Sequence, residues 1–182
     1  MKITVRMMKE IISHESIICE AYKDSKGIWT WGVGVTSASG HKVEDYRDGP
    51  QPMSKVIAVF EWLLREKYAP DVERAFRGKD LTEAQYTAAL SFHYNTGAIL
   101  RASWVKSFMA GNRDQARLEF MNWVTPKEIW ERRRKERDLF FDGAWSGDGK
   151  STVFQVRKPS YAPSWSSAKR VDVTGALVEA LA

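Results

Sequence analysis

The clearest structural signal in the sequence is the segment HESIICEAYKDSKGIWTWGVGVT, residues 14–36. Within it, AYKD is followed by SKG and then by IWTWGVGV, which predicts two extended segments joined by a turn. Gly27 lies in that turn, where it is free to take a left-handed conformation. Gly32 and Gly34 would weaken an ordinary strand, and they indicate a bend or a close approach of the backbone. We therefore expect a β-hairpin from Cys19 to Val35.

One carboxylate precedes this hairpin and a second lies within it. Apolar residues recur at helical spacing from Val5 to His14, so Glu15 is expected where a short first helix ends. Asp24 and Thr30 follow in the hairpin. Glycoside hydrolysis needs two such carboxyl groups, because one must protonate the leaving oxygen while the other, ionised, serves a water or the sugar cation. The spacing alone favours the plainer interpretation, in which both acids are solvated surface groups.

The composition is that of a globular protein. The chain has 182 residues, of which 43% are hydrophobic and 28% are charged, and a chain of this length can bury a core without disulfides or metals. No apolar run approaches the ~18–20 residues of a membrane span. The single cysteine, Cys19, cannot form an internal disulfide, which fits a reducing compartment. Charged residues interrupt the apolar N-terminal stretch, so we expect no cleavable signal and retention in the cytoplasm.

The formal net charge of +5 favours an anionic partner, which could be nucleic acid, a membrane surface or an acidic polymer such as a cell wall. Charge alone does not choose among these partners. The three histidines, His14, His41 and His93, lie far apart and in no metal-binding pattern, and no glycine-rich phosphate loop is present. We therefore expect no metal and no cofactor.

The chain between residues 54 and 143 is predicted to be mostly helical. Helix starts are predicted at Ser54, Thr82, Ser103, Asn112 and Thr125. Gln85 and Glu128 would complete capping boxes for the second and the last of these helices. Pro70 is predicted to end the first helix and Gly143 the last.

The sequence beyond Gly143 is rich in Ser, Gly and Pro, with one strand-like run from Thr152 to Val156. We expect residues 146–182 to form an appendage packed along the main body. This appendage is expected to contribute to stability or to wall contact and not to the chemistry, since it contains no acid with a plausible partner.

Four ordered blocks of the sequence resemble the phage T4-type lysozymes, the endolysins of glycoside hydrolase family 24. Residues in register with the family's hairpin motif, a Glu followed by Y-x-D and G-x-W/Y-T-x-G-x-G, are Glu15, Tyr22, Asp24, Gly27, Thr30, Gly32 and Gly34. The other blocks are LTEAQYTAALSFHYNTGA (81–98), RASWVKSFMAGNRDQARLEFMNW (101–123) and ERRRKERDLFFDGAW (131–145). The resemblance covers roughly residues 8 to 145.

The resemblance implies an α+β, lysozyme-like fold with a catalytic cleft between two lobes. A small hairpin lobe would span about residues 14–53 and a larger helical lobe about 54–145, joined by the long helix that starts at Ser54. Residues 1–145 would form the catalytic domain. The implied activity is that of a muramidase, which hydrolyses the β-1,4 bond between N-acetylmuramic acid and N-acetylglucosamine in peptidoglycan. The resemblance also suggests a phage or prophage origin and a role in host lysis.

By the same resemblance, Glu15 would be the general acid, Asp24 the second carboxylate, and Thr30 a residue that helps to hold the attacking water. If Asp24 and Thr30 hold a water, the carboxyl groups should lie ~6.5–9.5 Å apart and the sugar configuration inverts. If Asp24 attacks directly, the gap should be ~5–5.5 Å and the configuration is retained. The hydroxyl of Thr30 and the resemblance both favour inversion.

Three further residues are candidates for substrate binding, and each has a structural alternative. Asn95 would either hydrogen-bond the sugar or cap a helix end. Trp31 would either stack on a sugar or fill the core. Arg132 would either approach Glu15 from the opposite lobe or belong to a solvated basic helix face. Val35 stands where the family commonly has a histidine, so no polar contact of that histidine is carried over.

The implied partner is the glycan strand of peptidoglycan, with no nucleic acid and no membrane insertion, and we expect a monomer. The enzyme would remain in the host cytoplasm until a holin lets it reach peptidoglycan in the periplasm. The competing hypothesis is a non-catalytic module that binds glycans, or nucleic acid through residues 132–137. Acidic residues interrupt that basic run, and the three candidate catalytic residues are chemically intact.

Overall fold

The computed structural model describes all residues, 1–182. The helices are α1 (Val5–Ser13), α2 (Met53–Leu63), α3 (Ala69–Ala75), α4 (Glu83–Thr96), α5 (Ser103–Met109), α6 (Arg113–Phe120), α7 (Trp130–Asp142) and α8 (Thr174–Glu179). The strands are β1 (Ser16–Lys23), β2 (Trp29–Gly32), β3 (Val35–Thr36), β4 (Lys150–Arg157) and β5 (Ala162–Asp172). None of the helices combines the length and the apolar character needed to cross a membrane.

The chain divides into two compact units. The sheet unit comprises Ile3–Leu63 and Gly147–Ala182, and the helical unit comprises Met1–Lys2 and Leu64–Ser146. The sheet unit holds all five strands together with α1, α2 and α8. The candidate catalytic residues therefore all belong to the sheet unit.

The sheet has the strand order β3-β2-β1-β4-β5. Strands β1 and β2 pair antiparallel, with Lys23 opposite Trp29 as the last pair before the turn, and this confirms the predicted hairpin. Gly27 has a φ of 77° in that turn, as predicted. A Cβ on Gly32 would lie 3.3 Å from Val56 Cγ1, so a close approach of the chain does occur there.

The C-terminal segment forms part of the same sheet. Strand β4 pairs in parallel with β1, and β5 pairs antiparallel with β4. The sequence predicted only one short strand-like run in this segment, whereas the structure has two strands. Strand β5 reads APSWSSAKRVD, which lacks the alternation of a strand signal and has a single β-branched residue, Val171. Its strand conformation therefore depends on backbone pairing with β4.

The predicted helix signals have mixed outcomes. The capping box at the start of α4 is confirmed, because Gln85 N donates to Thr82 Oγ1 (3.2 Å) and Thr82 N donates to Gln85 Oε1 (3.0 Å). The capping box predicted at Thr125 is wrong. There the chain first makes a 3₁₀ turn over Lys127–Ile129, and α7 begins only at Trp130 without a side-chain cap.

The predicted helix from Ser54 to Pro70 is also corrected at both ends. Helix α2 begins at Met53, which places Ser54 inside its first turn. Pro70 does not end the helical path, because a π-helical stretch over Leu64–Tyr68 leads into α3, whose first turn contains Pro70. Proline is tolerated there because the first-turn N–H groups have no partner inside the helix.

The core of the helical unit is a cluster of aromatic rings around Trp104, which is fully buried. Its ring centroid lies 4.5 Å from that of Phe120, 5.0 Å from that of Phe140 and 5.3 Å from that of Phe92. Aromatic pairs at these distances add to the free energy gained from burial. The cluster joins helices α4, α5, α6 and α7, which together carry the candidate residues of this unit.

Candidate functional site

Glu15 lies in the short link between α1 and β1, and its side chain is half-buried. Its backbone is fixed from both sides. The Glu15 N–H donates to Ile12 O (3.1 Å), which extends the last turn of α1. The fully buried Ser151 of β4 donates its hydroxyl to Glu15 O (2.6 Å). The carboxyl group is thus attached to an ordered part of the backbone.

Asp24 is held by the hairpin turn that follows β1. Its Oδ1 accepts hydrogen bonds from Lys26 N (2.8 Å) and Ile28 N (2.9 Å). Its backbone N–H donates to Ile28 O (3.0 Å), and its carbonyl accepts from Gly27 N (3.0 Å). Both side-chain bonds use Oδ1, so Oδ2 is oriented by the turn and has the capacity to accept a proton from a bound water.

Thr30 lies on β2 directly opposite Tyr22 of β1. Only 4% of Thr30 is exposed, and its hydroxyl donates to Ile28 O (3.1 Å). A hydroxyl oxygen that donates one bond keeps its lone pairs, so Thr30 can still accept a hydrogen bond from a water. The carbonyl that orients Thr30 belongs to Ile28, whose N–H binds Asp24.

Tyr22 connects the two carboxylates electrostatically. Burial, then the charge of Asp24, then that of Glu15 raise the pKa of the Tyr22 phenol to about 12. The phenol is therefore neutral at neutral pH and can donate a hydrogen bond. Tyr22 lies opposite Thr30 in the sheet and two residues before Asp24, and Glu15 directly precedes the same strand. Sequence reasoning gave Tyr22 no role, although its place opposite Thr30 in the predicted hairpin would have suggested one.

Trp31 is corrected from a substrate-binding candidate to a core residue. Its side chain is fully buried. The indole Nε1 donates to Cys19 O (2.9 Å), and the ring packs on His41 and Tyr46 with centroid distances of 5.6 and 4.4 Å. A ring covered in this way offers no face to a sugar, so the structure supports the alternative of core filling. Val35 pairs with it across the sheet and is buried as well.

Asn95 is exposed near the C-terminal end of α4, where it lines a surface pocket of about 330 Å³ together with Trp123 and Pro126. Its Oδ1 accepts a hydrogen bond from Arg133 Nη2 (2.6 Å). Because an arginine only donates, this contact fixes which end of the amide is the oxygen. The Nδ2 group of Asn95 therefore points away from Arg133 and is able to donate to a ligand.

Arg132 does not belong to a solvated basic face. Its side chain is 9% exposed, and its Nε donates to Glu136 Oε1 (2.9 Å) while Nη2 donates to Ser91 O (3.2 Å). These contacts give Arg132 a structural role inside the helical unit. No cluster of His, Cys, Asp or Glu side chains suited to a metal ion is present in the structure.

Comparison with known proteins defines the class to which this fold and site belong. The family model described as phage lysozyme matches residues 12–137, so the chain belongs to the phage lysozyme family. An endolysin of Bacillus phage B103 is 29% identical over 161 residues, which is 82% of this chain and 56% of that protein. The chain therefore spans little more than half the length of that curated relative.

Solved structures give the same fold. An endolysin from Escherichia coli O157:H7 phage FAHEc1 superposes with a TM-score of 0.71 at 24% identity, covering 80% of this chain and 97% of that one. A variant of P22 lysozyme superposes with a TM-score of 0.64 at 26% identity, covering 78% of this chain and 99% of that one. The predicted α+β, lysozyme-like fold is thus confirmed. Residues 147–182, which form β4, β5 and α8, lie outside the part that the family model matches.

Proposed function

We propose that the protein is a muramidase of the endolysin type, which hydrolyses the β-1,4 bond between N-acetylmuramic acid and N-acetylglucosamine in peptidoglycan. The observation that carries the proposal is that Glu15 and Asp24 flank strand β1 and that Thr30 lies on the paired strand β2, within the segment that matches the phage lysozyme family. Substrate and activity are inferred for this chain, and the positive net charge suits an anionic wall.

In the proposed mechanism, Glu15 protonates the glycosidic oxygen as the bond breaks. A water lies between Asp24 and Thr30. Asp24 Oδ2 accepts one proton of this water, and the hydroxyl oxygen of Thr30 accepts a hydrogen bond from its other O–H group. The water attacks the anomeric carbon on the face opposite the leaving group, so the configuration inverts. Tyr22 serves as a neutral donor beside the two carboxyl groups. No step requires a metal or a cofactor.

Asn95 is the residue of the helical unit that we propose for a contact with the sugar. Its amide nitrogen is a donor suited to the carbonyl oxygen of an N-acetyl group, while Arg133 holds the amide from the other side. We also keep Arg132 as a candidate for substrate binding, with its guanidinium oriented by Glu136. We also propose that the enzyme is a monomer, that a holin lets it reach the cell wall, and that its activity lyses the host.

The direct test is incubation of the purified protein with peptidoglycan, followed by measurement of soluble muropeptides and of new reducing ends. A muramidase must release fragments whose new reducing end is N-acetylmuramic acid. Binding to peptidoglycan without any release would instead support the competing hypothesis of a non-catalytic glycan-binding module.

Substitutions at Asp24 and Thr30 should have graded effects on this activity. Asp24→Asn is expected to lower kcat roughly 100-fold or more, because the amide cannot take a proton from water. Thr30→Ala is expected to lower kcat roughly 5- to 10-fold, because the variant loses one hydrogen bond to the water, which contributes ~1 kcal/mol. Thr30→Ser keeps the hydroxyl and should retain most of the activity. A Thr30→Ser variant as impaired as Thr30→Ala would argue against a role for the hydroxyl.

The stereochemistry of the product tests the role of Asp24 as a base. With water held by Asp24 and Thr30, hydrolysis of the β-linkage should release the α-anomer first, before mutarotation mixes the two. Proton NMR spectra recorded in the first minutes of a reaction with a soluble oligosaccharide would distinguish the anomers. Early appearance of the β-anomer would instead identify Asp24 as a nucleophile.

A further inference from the structure

Strand β1 joins the two candidate catalytic carboxylates. It begins at Ser16, directly after Glu15, and ends at Lys23, directly before Asp24. The separation and mutual orientation of the two carboxyl groups therefore depend on how both ends of β1 are fixed. The hairpin pairs β1 with β2 on one side only, so the other side is available to the C-terminal strands.

The start of β1 is fixed by β4. Ser16 and Ile17 pair in parallel with Thr152 and Val153. The buried hydroxyl of Ser151 donates to Glu15 O (2.6 Å), one residue before the strand starts. The same segment also approaches α1, since Gly147 N donates to a carboxylate oxygen of the buried Glu10 (2.6 Å).

The end of β1 is fixed by the turn between β4 and β5, residues 158–161. The backbone N–H of Lys23 donates to Tyr161 O (2.8 Å), which places a contact one residue before Asp24. The Tyr161 ring meets the ring of Trp29 edge-on, with centroids 5.1 Å apart. Trp29 is the partner of Lys23 on β2 and precedes Thr30.

Several side chains hold this turn in place. Tyr161 Oη donates to Asp48 Oδ1 (2.7 Å), and Lys158 Nζ donates to Asp48 Oδ1 (2.7 Å) and to Glu20 Oε1 (2.5 Å). Tyr161 has a φ of 57° and Asp48 a φ of 61°. A bulky residue rarely adopts such a left-handed conformation, and it persists only where surrounding contacts enforce it. Residues of this kind concentrate at functional sites.

We propose that the C-terminal strands β4 and β5 are a positioning element for catalysis, in which Ser151 fixes Glu15 and Tyr161 fixes the hairpin end that carries Asp24. This inference rests on the proposed function. It gives residues 147–182, which lie outside the family match, a role in catalysis. It thereby revises the expectation that this segment contributes only to stability or to wall contact. Ser151 and Tyr161 are positioning residues, because each acts through the backbone next to a carboxylate.

The test uses the full chain and soluble peptidoglycan fragments, well below the melting temperature of each variant. Ser151→Ala removes the donor to Glu15 O, and Tyr161→Gly removes the ring and frees the backbone. Each is expected to lower kcat about 10-fold with KM changed less than about twofold, because small displacements of catalytic groups cost rate more than binding. Ser151→Thr keeps a hydroxyl and should recover most of kcat, and Tyr161→Phe keeps the ring and should be only mildly impaired.

Trp165→Ala is the matched control, since Trp165 lies on β5, is 70% exposed and packs its ring against Phe154 of β4. It should leave kcat unchanged. Hydrogen exchange of the Lys23 amide gives a readout independent of activity. We expect this amide to be protected in the wild type and in Trp165→Ala, and to lose its protection in Tyr161→Gly. A role confined to stability would lower the melting temperature of Ser151→Ala and Tyr161→Gly while kcat stays at the wild-type value, which would overturn the inference.

The two proposals fail in different ways. A wild-type protein that cannot cleave peptidoglycan would refute the proposed function and this inference with it. A wild-type protein that cleaves peptidoglycan, together with full kcat in both variants or an unprotected Lys23 amide, would overturn the positioning role alone.

Discussion

Replacing Glu15 by glutamine is expected to lower turnover of peptidoglycan by roughly 10²–10⁴-fold, the usual contribution of a general acid. The amide fills the same space as the carboxyl group but has no proton of sufficient acidity for the leaving oxygen. The backbone contacts of Glu15, from Ser151 and to Ile12, do not involve its side chain and should be unaffected. The measurement is the initial rate at which reducing ends are released from purified peptidoglycan.

Two controls make this result specific. The melting temperature and the circular dichroism spectrum of Glu15→Gln should match those of the wild type, which separates loss of chemistry from loss of fold. Glu179→Gln makes the same chemical change at an exposed position of α8 and should retain full activity. Full activity of Glu15→Gln would refute the proposed mechanism as a whole.

Local sequence signals were sufficient for the hairpin and for the best-capped helix. The turn at Gly27 needs a residue with a left-handed backbone conformation. The extended segments on either side of it are compatible with few structures other than a hairpin. Thr82 and Gln85 satisfy each other's backbone N–H groups, a pattern that depends on only four consecutive residues. Where a structure depends on neighbours in sequence, as in these two cases, reasoning from the sequence predicts it.

Features that depend on distant residues were not predictable in this way. Strand β5 has no strand signal of its own and is ordered by pairing with β4. Trp31 could have faced a sugar or the core, and its burial comes from packing against His41 and Tyr46, which lie well beyond the hairpin in the chain. The contact of Tyr161 with Lys23 joins segments far apart in the chain, and no local pattern marks it.

The sequence left two interpretations of Arg132 in the charged helix α7 open for a related reason. The run RRRKER suggests a solvated basic face, yet Arg133 is fully buried and Arg132 nearly so. Both guanidinium groups converge on Glu136, which lies three and four positions further along the same helix. The sequence contains these i,i+3 and i,i+4 pairs, but only the packing of α7 against α4 determines that they are removed from water.

Replacing Glu136 by alanine is therefore expected to destabilise the helical unit by about 3–5 kcal/mol, the cost of leaving a buried charge without its partner. Glu136 is 1% exposed and accepts hydrogen bonds from Arg132 Nε (2.9 Å), from Arg133 and from Ser91 Oγ (2.6 Å). Burial lowers the pKa of Arg133 and the charge of Glu136 raises it, which means that the carboxylate offsets the cost of burying this guanidinium.

Urea denaturation of the full chain, followed by near-ultraviolet circular dichroism of the buried aromatic cluster, measures this effect. Glu136→Gln should cost less than Glu136→Ala, because its amide oxygen still accepts a hydrogen bond from an arginine. Glu131→Ala is the matched control on the same helix, where the carboxylate is 54% exposed and pairs with Arg134, and it should shift the unfolding midpoint very little. If Glu136→Ala unfolds at the same urea concentration as Glu131→Ala, the buried carboxylate does not hold α7 in place. In that case the remaining partners of Arg133, which are Asn95 Oδ1, Trp123 O and the Phe92 ring, would be sufficient to offset its burial.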